Sequence, residues 1–517
     1  MRTSNSVKNS ITALIGNAFS FIIAFIAQAI FIRILGTEYL GLNGLFTNVL
    51  SMLSIFELGI GNAIVFNLYK PLSEKNHEKV ASLMNFYKKA YGVIALLIFI
   101  FGILMLPFLN IFIDDLTVDV NIYIVYLLFL FSTISSYLMA YKRSLIIANQ
   151  KNYIINIIHV AYLVVVNISQ LLIILIFKNY YLYLIVKIIC QLLENLLISI
   201  FADKKYKYLK KYNNVKLDKK TEKDIFNRVK ALFFHKIGSI IVSGTDNIII
   251  SYFFGIVSVG LYTNYNIITN AINTIFSQVI SSTTASVGNL LVSSDEIKKF
   301  NVFKKIRFLN SWISIFTSVS LIVIIQPFIS LWVGSQYQLS MMVVCVIVLN
   351  FFQKMQRQTY STFKDSAGIW IEDRFIPLME ASINIIFSII CLKLFGLAGV
   401  FMGTIISGLV LWCYSYPKFV YKRLFNRTYL EYINETIGYI LLFIIIAVIT
   451  YGISMIFVVN NQLLQVIINA IICCIVPNFI LFIIFRKTEN FKYFKDLVFN
   501  IINKIFAKLK KNKNAHV

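Results

Sequence analysis

The chain has 517 residues, of which 58% are hydrophobic and only 14% charged, and its mean hydropathy of +0.77 lies outside the range of a soluble domain of this length. The net charge of +25 sits mainly in the gaps between apolar runs, which reads as control of membrane topology and not as nucleic-acid binding. The composition therefore predicts a polytopic membrane protein.

Apolar runs recur near 11–33, 40–66, 90–113, 121–141, 154–177, 180–202, 231–254, 257–283, 309–332, 338–356, 376–395, 397–417, 436–458 and 463–485. Each is long enough to span a bilayer, so the predicted fold class is all-α, with about fourteen transmembrane helices. Alternate gaps hold the positive charge: five Lys between 67 and 89, eleven Lys/Arg between 203 and 230, five between 284 and 308, and nine between 486 and 517. The opposite gaps are short, with Arg33, Lys178 and Lys393 at or near them. Both termini are therefore expected on the cytoplasmic side of the membrane.

In the first half, helix 1 carries Asn17, Ser20 and Gln28. Helix 2 carries a stripe of Thr47, Ser51 and Ser54 leading to Glu57 and Asn62. Glu57 is a candidate proton relay, although Gly59 and Gly61 beside it equally suit tight helix packing. His159 has no partner recognisable from sequence, and Lys187 and Glu194 share one face of helix 6 without touching. The expected domains are a six-helix lobe over 1–202, a basic linker over 203–230, a second six-helix lobe over 231–430, two further helices over 431–486 and a basic tail over 487–517.

A repeat supports that division. Gly36-x4-Gly41-Leu42 matches Gly255-x4-Gly260-Leu261 at an offset of 219, Pro107-Phe108 matches Pro327-Phe328 at 220, and Tyr141 and Ala148 match Tyr360 and Ala367 at 219. Six helices per half would give a parallel repeat about an axis along the membrane normal.

The run 231–254 is unusually polar for a span. Lys236, Ser239, Ser243 and Asp246 share one helical face, flanked by His235 and Asn247. Helix 8 repeats the device with Asn266, Asn270, Asn273 and Ser277. Lys236 and His235 read either as cations awaiting an anionic substrate group or, for Lys236, as a side chain snorkelling to the headgroups. Asp246 is either a proton or cation site or a partner for a neighbouring helix. No phosphate-binding G-x-x-x-x-G-K-[ST] loop and no nucleophile–base set is present, so neither enzyme activity nor a cofactor is expected. The six cysteines lie in apolar runs without metal-ligand spacing, so no disulfide and no metal site is expected.

The runs HKIGSIIVSGTDNIIISYFFG, VGLYTNYNIITNAINTIFSQVISSTTASVGNL, DSAGIWIEDRFIPLMEASINIIFS, GLAGVFMGTIIS and EYLGLNGLFTNVLSMLSIFELGIGNAIVFNLYKPL resemble the polysaccharide transporter branch of the multidrug/oligosaccharidyl-lipid/polysaccharide exporter superfamily. The resemblance implies a bacterial cytoplasmic-membrane flippase that carries lipid-linked oligosaccharide units by rocking two six-helix lobes around a cavity. Membrane lipids, a polysaccharide polymerase and glycosyltransferases are the implied partners. Basic cavity residues are implied too, with Lys236, Lys187 and Arg33 as candidates. On this reading an undecaprenyl pyrophosphate meets Lys236 and His235, and the Asn/Ser stripes of helices 2 and 8 meet the sugars. The alternative is a cation-coupled exporter of small amphiphiles that uses Asp246 or Glu57 as its coupling site.

Overall fold

The computed structural model describes residues 2–57, 60–113, 116–212, 215–281, 283–293, 295–369, 372–497, 499 and 503. Every long element among them is helical. The helices are α1 (Arg2–Leu35), α2 (Thr37–Met52), α3 (Ile60–Ser73), α4 (His77–Leu104), α5 (Leu109–Phe112), α6 (Ile122–Leu138), α7 (Ala140–Ala148), α8 (Asn152–Phe177) and α9 (Tyr180–Lys205). They continue with α10 (Tyr208–Lys211), α11 (Lys219–Ser281), α12 (Thr284–Ser293), α13 (Glu296–Trp332), α14 (Met341–Ser366), α15 (Ile376–Phe395), α16 (Leu397–Val410), α17 (Tyr429–Ile456) and α18 (Gln462–Phe485). A π-helix, Leu411–Leu424, extends α16.

Asparagine punctuates the connections. Asn121 accepts from the amides of Tyr123 (3.0 Å) and Ile124 (3.2 Å), Asn179 from Leu182 (3.0 Å) and Asn461 from Leu463 (3.0 Å), which satisfies first-turn donors that would otherwise be orphaned. Outward faces carry apolar side chains such as Leu104, Ile176, Val448 and Ile475, each more than half exposed. A soluble monomer rarely tolerates so continuous an apolar surface, whereas a bilayer covers it.

Ten helices among the described residues are long and apolar enough to cross a membrane, or eleven if α6 and α7, bent by 42°, make one span. The expected fourteen is not reached by that count, and the shortfall has identifiable causes. The spans 231–254 and 257–283 count once there, as Lys236–Ile280 of α11, although the non-helical backbone of Gly255 (φ 77°, ψ 168°) divides α11 into two helices at that residue. In α14, Lys354, Arg357, Lys364 and Asp365 lower the apolar character of a 26-residue helix. In α1 the apolar stretch among the described residues is Phe19–Leu35. The run 40–66 is also not one helix: a 3-10 turn, Leu53–Glu57, separates α2 from α3 and delivers Glu57 at the break. Pro107 lies in a 3-10 turn, whereas its repeat partner Pro327 lies inside α13.

The described chain forms two compact units. Unit 1 holds Met1–Ala271, Tyr337–Val343 and Trp370–Leu411. Within it the repeat becomes physical at two glycine pairs. Gly36 (φ 94°, ψ −179°) turns the chain from α1 into α2 as Gly255 does within α11, and both conformations need a residue without Cβ. A Cβ on Gly41 would lie 2.1 Å from the carbonyl oxygen of Ile256, and one on Gly260 would lie 2.4 Å from that of Thr37. Thr37 and Ile256 are themselves 219 apart, so the two contacts are copies of one another.

Elsewhere in unit 1, Gly399 and Gly403 let α16 press onto α15, where added Cβ atoms would meet backbone of Cys391 (2.1 Å) and Ser388 (2.3 Å). Part of the basic segment between α9 and α11 is docked on α4. Asn85 Nδ2 donates to the carbonyls of Tyr212 (3.1 Å) and Val215 (3.3 Å), and Lys79 pairs with Asp218. The Lys79 ammonium and the Thr221 amide, as donors, hold the Asp218 carboxyl well below the usual carboxylate range.

Unit 2 holds Ile272–Gln336, Val344–Ile369 and Trp412–Val517. Its polar centre is Arg307, only 3% exposed, which pairs with Glu435, donates to the Tyr421 hydroxyl and reaches Thr436 Oγ1 at 3.1 Å. The Tyr360 and Tyr439 rings lie 5.3 and 5.4 Å from its guanidinium. Read from sequence, Arg307 was one more topological charge; in the fold it is a buried tie between α13 and α17.

Candidate functional site

Within unit 1 a cavity of about 640 Å³ opens among α2, the following 3-10 turn, α4, α6, α7, α8 and α9. Its walls divide by chemistry. Thr47, Ser51 and Ser54 line one side, and Ser132, Thr133 and Ser136 of α6 line another. Several of these hydroxyls donate to main-chain carbonyls of their own helix: Ser51 to Asn48 (2.8 Å), Thr133 to Phe129 (2.9 Å) and Ser136 to Thr133 (2.7 Å). Their lone pairs are thereby left as acceptors on the wall. Tyr91, Phe129, Tyr137 and Tyr162 supply aromatic faces.

Five ionisable side chains other than tyrosine line the same space: Glu57, Arg143, His159, Lys187 and Glu194. Glu57 accepts from the Tyr91 hydroxyl at 3.3 Å. Lys187 stands 5.4 Å above the Phe129 ring, and no carboxylate pairs with it among the described residues. Glu194 is buried, and its Oε1 takes both Arg143 Nη2 (3.0 Å) and His159 Nδ1 (3.0 Å). Arg143 also reaches Asn195 Oδ1 at 3.5 Å. Glu194 and Lys187 are seven residues apart on α9, about 10 Å along the axis, so the cavity has two separate cationic positions.

Of the residues singled out from sequence, Lys187, Glu57, His159, Glu194 and the stripe Thr47, Ser51 and Ser54 line this cavity, whereas Gln28, Lys236, Ser239, Asp246, Asn247, Asn266, Asn270 and Asn273 do not. Gln28 Nε2 donates to Asn264 Oδ1 at 3.1 Å, and Asn247 Nδ2 approaches the Gly44 carbonyl at 3.5 Å. Both amides tie helices together. Asn270 donates to Asn266 at 2.8 Å along α11, while Asn273, in unit 2, accepts from Gln358 at 3.5 Å. Lys236 is half-buried on α11 and Ser239 is exposed. The side chains of Asn17, Asn62, His235 and Ser243 lie outside the described residues.

Asp246 is buried away from this cavity. Thr404 Oγ1 donates to its carboxylate at 3.2 Å and accepts from Asn384 Nδ2 at 3.0 Å, while Thr245 Oγ1 donates to Asn384 Oδ1 at 3.0 Å. Three helices, α11, α15 and α16, are thus joined through one hydroxyl. Thr404→Val keeps the shape and removes that hydroxyl, so it should destabilise the protein by about 1–3 kcal/mol, the cost of leaving buried polar partners unsatisfied. Thermal unfolding in detergent reads this directly, and an unchanged midpoint would show that Asp246 draws its support elsewhere.

Sequence reasoning missed Arg143. The apolar run 121–141 ends before Arg143, which places that residue in a connection when read from sequence. Met139 (φ −120°, ψ 5°) instead bends the chain, and α7 carries the arginine back along the cavity wall. A buried acid on an apolar helix was the available signal, because Glu194 requires a cation nearby.

A family model described as polysaccharide biosynthesis protein matches residues 6–285. No curated protein sequence matches the chain. Among solved structures, the chain is similar to the lipid II flippase MurJ in an inward closed conformation, with TM-score 0.66 and 16% identity over 93% of this chain and 99% of that one. It is also similar to a multidrug resistance MATE family transporter of the MOP superfamily in an inward-facing conformation, with TM-score 0.54 and 15% identity over 78% of this chain and 95% of that one. A MATE transporter of Vibrio cholerae gives TM-score 0.54 and 14% identity over 80% and 96%. At these identities the likeness establishes the fold.

Proposed function

The chain belongs to the polysaccharide biosynthesis protein family, and we propose that it carries undecaprenyl-pyrophosphate-linked oligosaccharide units from the inner to the outer leaflet of a bacterial cytoplasmic membrane by alternating access. The supporting observation is the division of labour inside the 640 Å³ cavity. Lys187 and Arg143 offer charge-assisted donors to a pyrophosphate, and the hydroxyl rows and tyrosines offer acceptors and ring faces to sugars. The lipid tail stays in the bilayer and no bond is made or broken. Capsule, exopolysaccharide or O-antigen synthesis would consume the product, with the polymerase and glycosyltransferases as neighbours. The lobes 1–202 and 231–430 are the bodies assigned to the rocking motion, with both termini in the cytoplasm.

The test is reconstitution into liposomes containing a fluorescent undecaprenyl-pyrophosphate oligosaccharide, with leaflet transfer read by a membrane-impermeant lectin. Transfer that depends on the protein is expected. Its absence, together with cation-driven efflux of small amphiphilic drugs from the same vesicles, would replace this function with that of an exporter.

A further inference from the structure

We propose that entry of a pyrophosphate-bearing lipid is coupled to uptake of one proton by the Glu194–His159 pair, because the substrate and Glu194 compete for Arg143. This coupling rests on the assignment of the cavity as the pyrophosphate site.

Glu194 is 5% exposed, and a single carboxylate oxygen takes both the Arg143 guanidinium and the His159 ring. The two partners remain open to the cavity, their side chains 33% and 46% exposed. The cation that anchors the buried acid is therefore also one that an incoming anion reaches. A guanidinium offered a phosphate face binds it through a fork of two donors, and only part of that fork can stay on Glu194.

Charge accounting points the same way. The cavity sets Lys187 and Arg143 against Glu57 and Glu194, which is neutral with His159 neutral. A pyrophosphate adds negative charge to that balanced set. Withdrawing Arg143 leaves a buried carboxylate facing only an imidazole, a strongly unfavourable state. One proton on the pair turns it into an imidazolium–carboxylate contact and offsets part of the added charge.

The other groups near Glu194 do not substitute for that proton. Tyr162 of α8 and Tyr137 of α6 are neutral hydroxyls, and Asn195 on its own helix is an amide. Lys187 is two turns away, over Phe129. Glu57 keeps its Tyr91 donor whether or not Arg143 moves. Release of the substrate returns Arg143 to Glu194 and expels the proton, so substrate and proton travel in the same state of the cavity.

The experiment uses the purified full chain in detergent with farnesyl pyrophosphate as probe. Calorimetric titration in two buffers of different ionisation enthalpy, near neutral pH, counts protons taken up per probe bound. Wild type should take up close to one proton more than Glu194→Gln does, since the probe's own protonation is common to both. Its affinity should weaken as pH rises, approaching tenfold per pH unit, while that of Glu194→Gln stays flatter. Equal proton counts in wild type and variant overturn the coupling and leave the phosphate site standing. Failure of wild type to bind at any pH overturns the phosphate site and the coupling with it. If Glu194→Gln does not fold, His159→Gln gives the same reading: loss of the extra proton supports the pair, and its retention overturns it.

Discussion

Lys187→Ala should slow transfer of a pyrophosphate-linked oligosaccharide by about ten- to hundredfold, and Lys187→Glu should abolish it. The size follows from one charge-assisted hydrogen bond, about 1.5–3 kcal/mol, against about 1.4 kcal/mol for each factor of ten. Fold stability should change little. The ammonium touches a ring and pairs with no carboxylate among the described residues, so its loss strands no buried anion. Arg143 is the contrast, because its removal leaves Glu194 buried with His159 alone. Initial rates in the vesicle assay, with thermal unfolding of the same preparations, separate the two effects. Lys187→Arg should retain most of the rate, because either cation serves a diffuse phosphate charge. A wild-type rate for Lys187→Ala would remove Lys187 from the substrate's path.

Legibility from sequence followed the range over which each signal acts. The repeat was visible because it resides in local backbone demands: only glycine accepts the positive φ at 36 and 255, so the spacing survives as sequence. Gly399 and Gly403 answer a comparable local demand, since the close approach of α15 excludes a Cβ there. Lys187 was visible as an odd charge in an apolar run. The contact among Arg143, His159 and Glu194 was not, because they come from three helices and meet only once α7 has bent away from α6. The polar stripe of α11 shows the opposite limit. Helical spacing placed Asp246 and Lys236 on one face, but spacing cannot say what that face meets, and Asp246 meets Thr404 of α16. Arg307 was misread for the same reason: its partner Glu435 is 128 residues away.

The glycine contacts of unit 1 carry the second large effect. Gly41→Ala drives a Cβ to 2.1 Å from the Ile256 carbonyl oxygen, and Gly260→Ala drives one to 2.4 Å from that of Thr37. Both obstacles are main chain, so no rotamer change relieves them, and the helices must move apart. Overpacking of this kind costs about 1–3 kcal/mol. Gly92, Gly438 and Gly452 provide the control, since a Cβ there meets nothing within 4 Å. Alanine at those helical positions should be neutral or stabilising by about 0.4–1 kcal/mol. The two groups of variants should therefore shift the unfolding midpoint in opposite directions. The repeat adds a further expectation. Because Gly41 and Gly260 sit at one crossing, with the Gly260 Cβ position also 3.2 Å from the Gly41 amide nitrogen, separation forced by the first alanine already makes room for the second. The double variant should then cost clearly less than the sum of the singles. Strict additivity would mean that the two contacts yield independently, and that the crossing does not behave as one pseudo-symmetric unit.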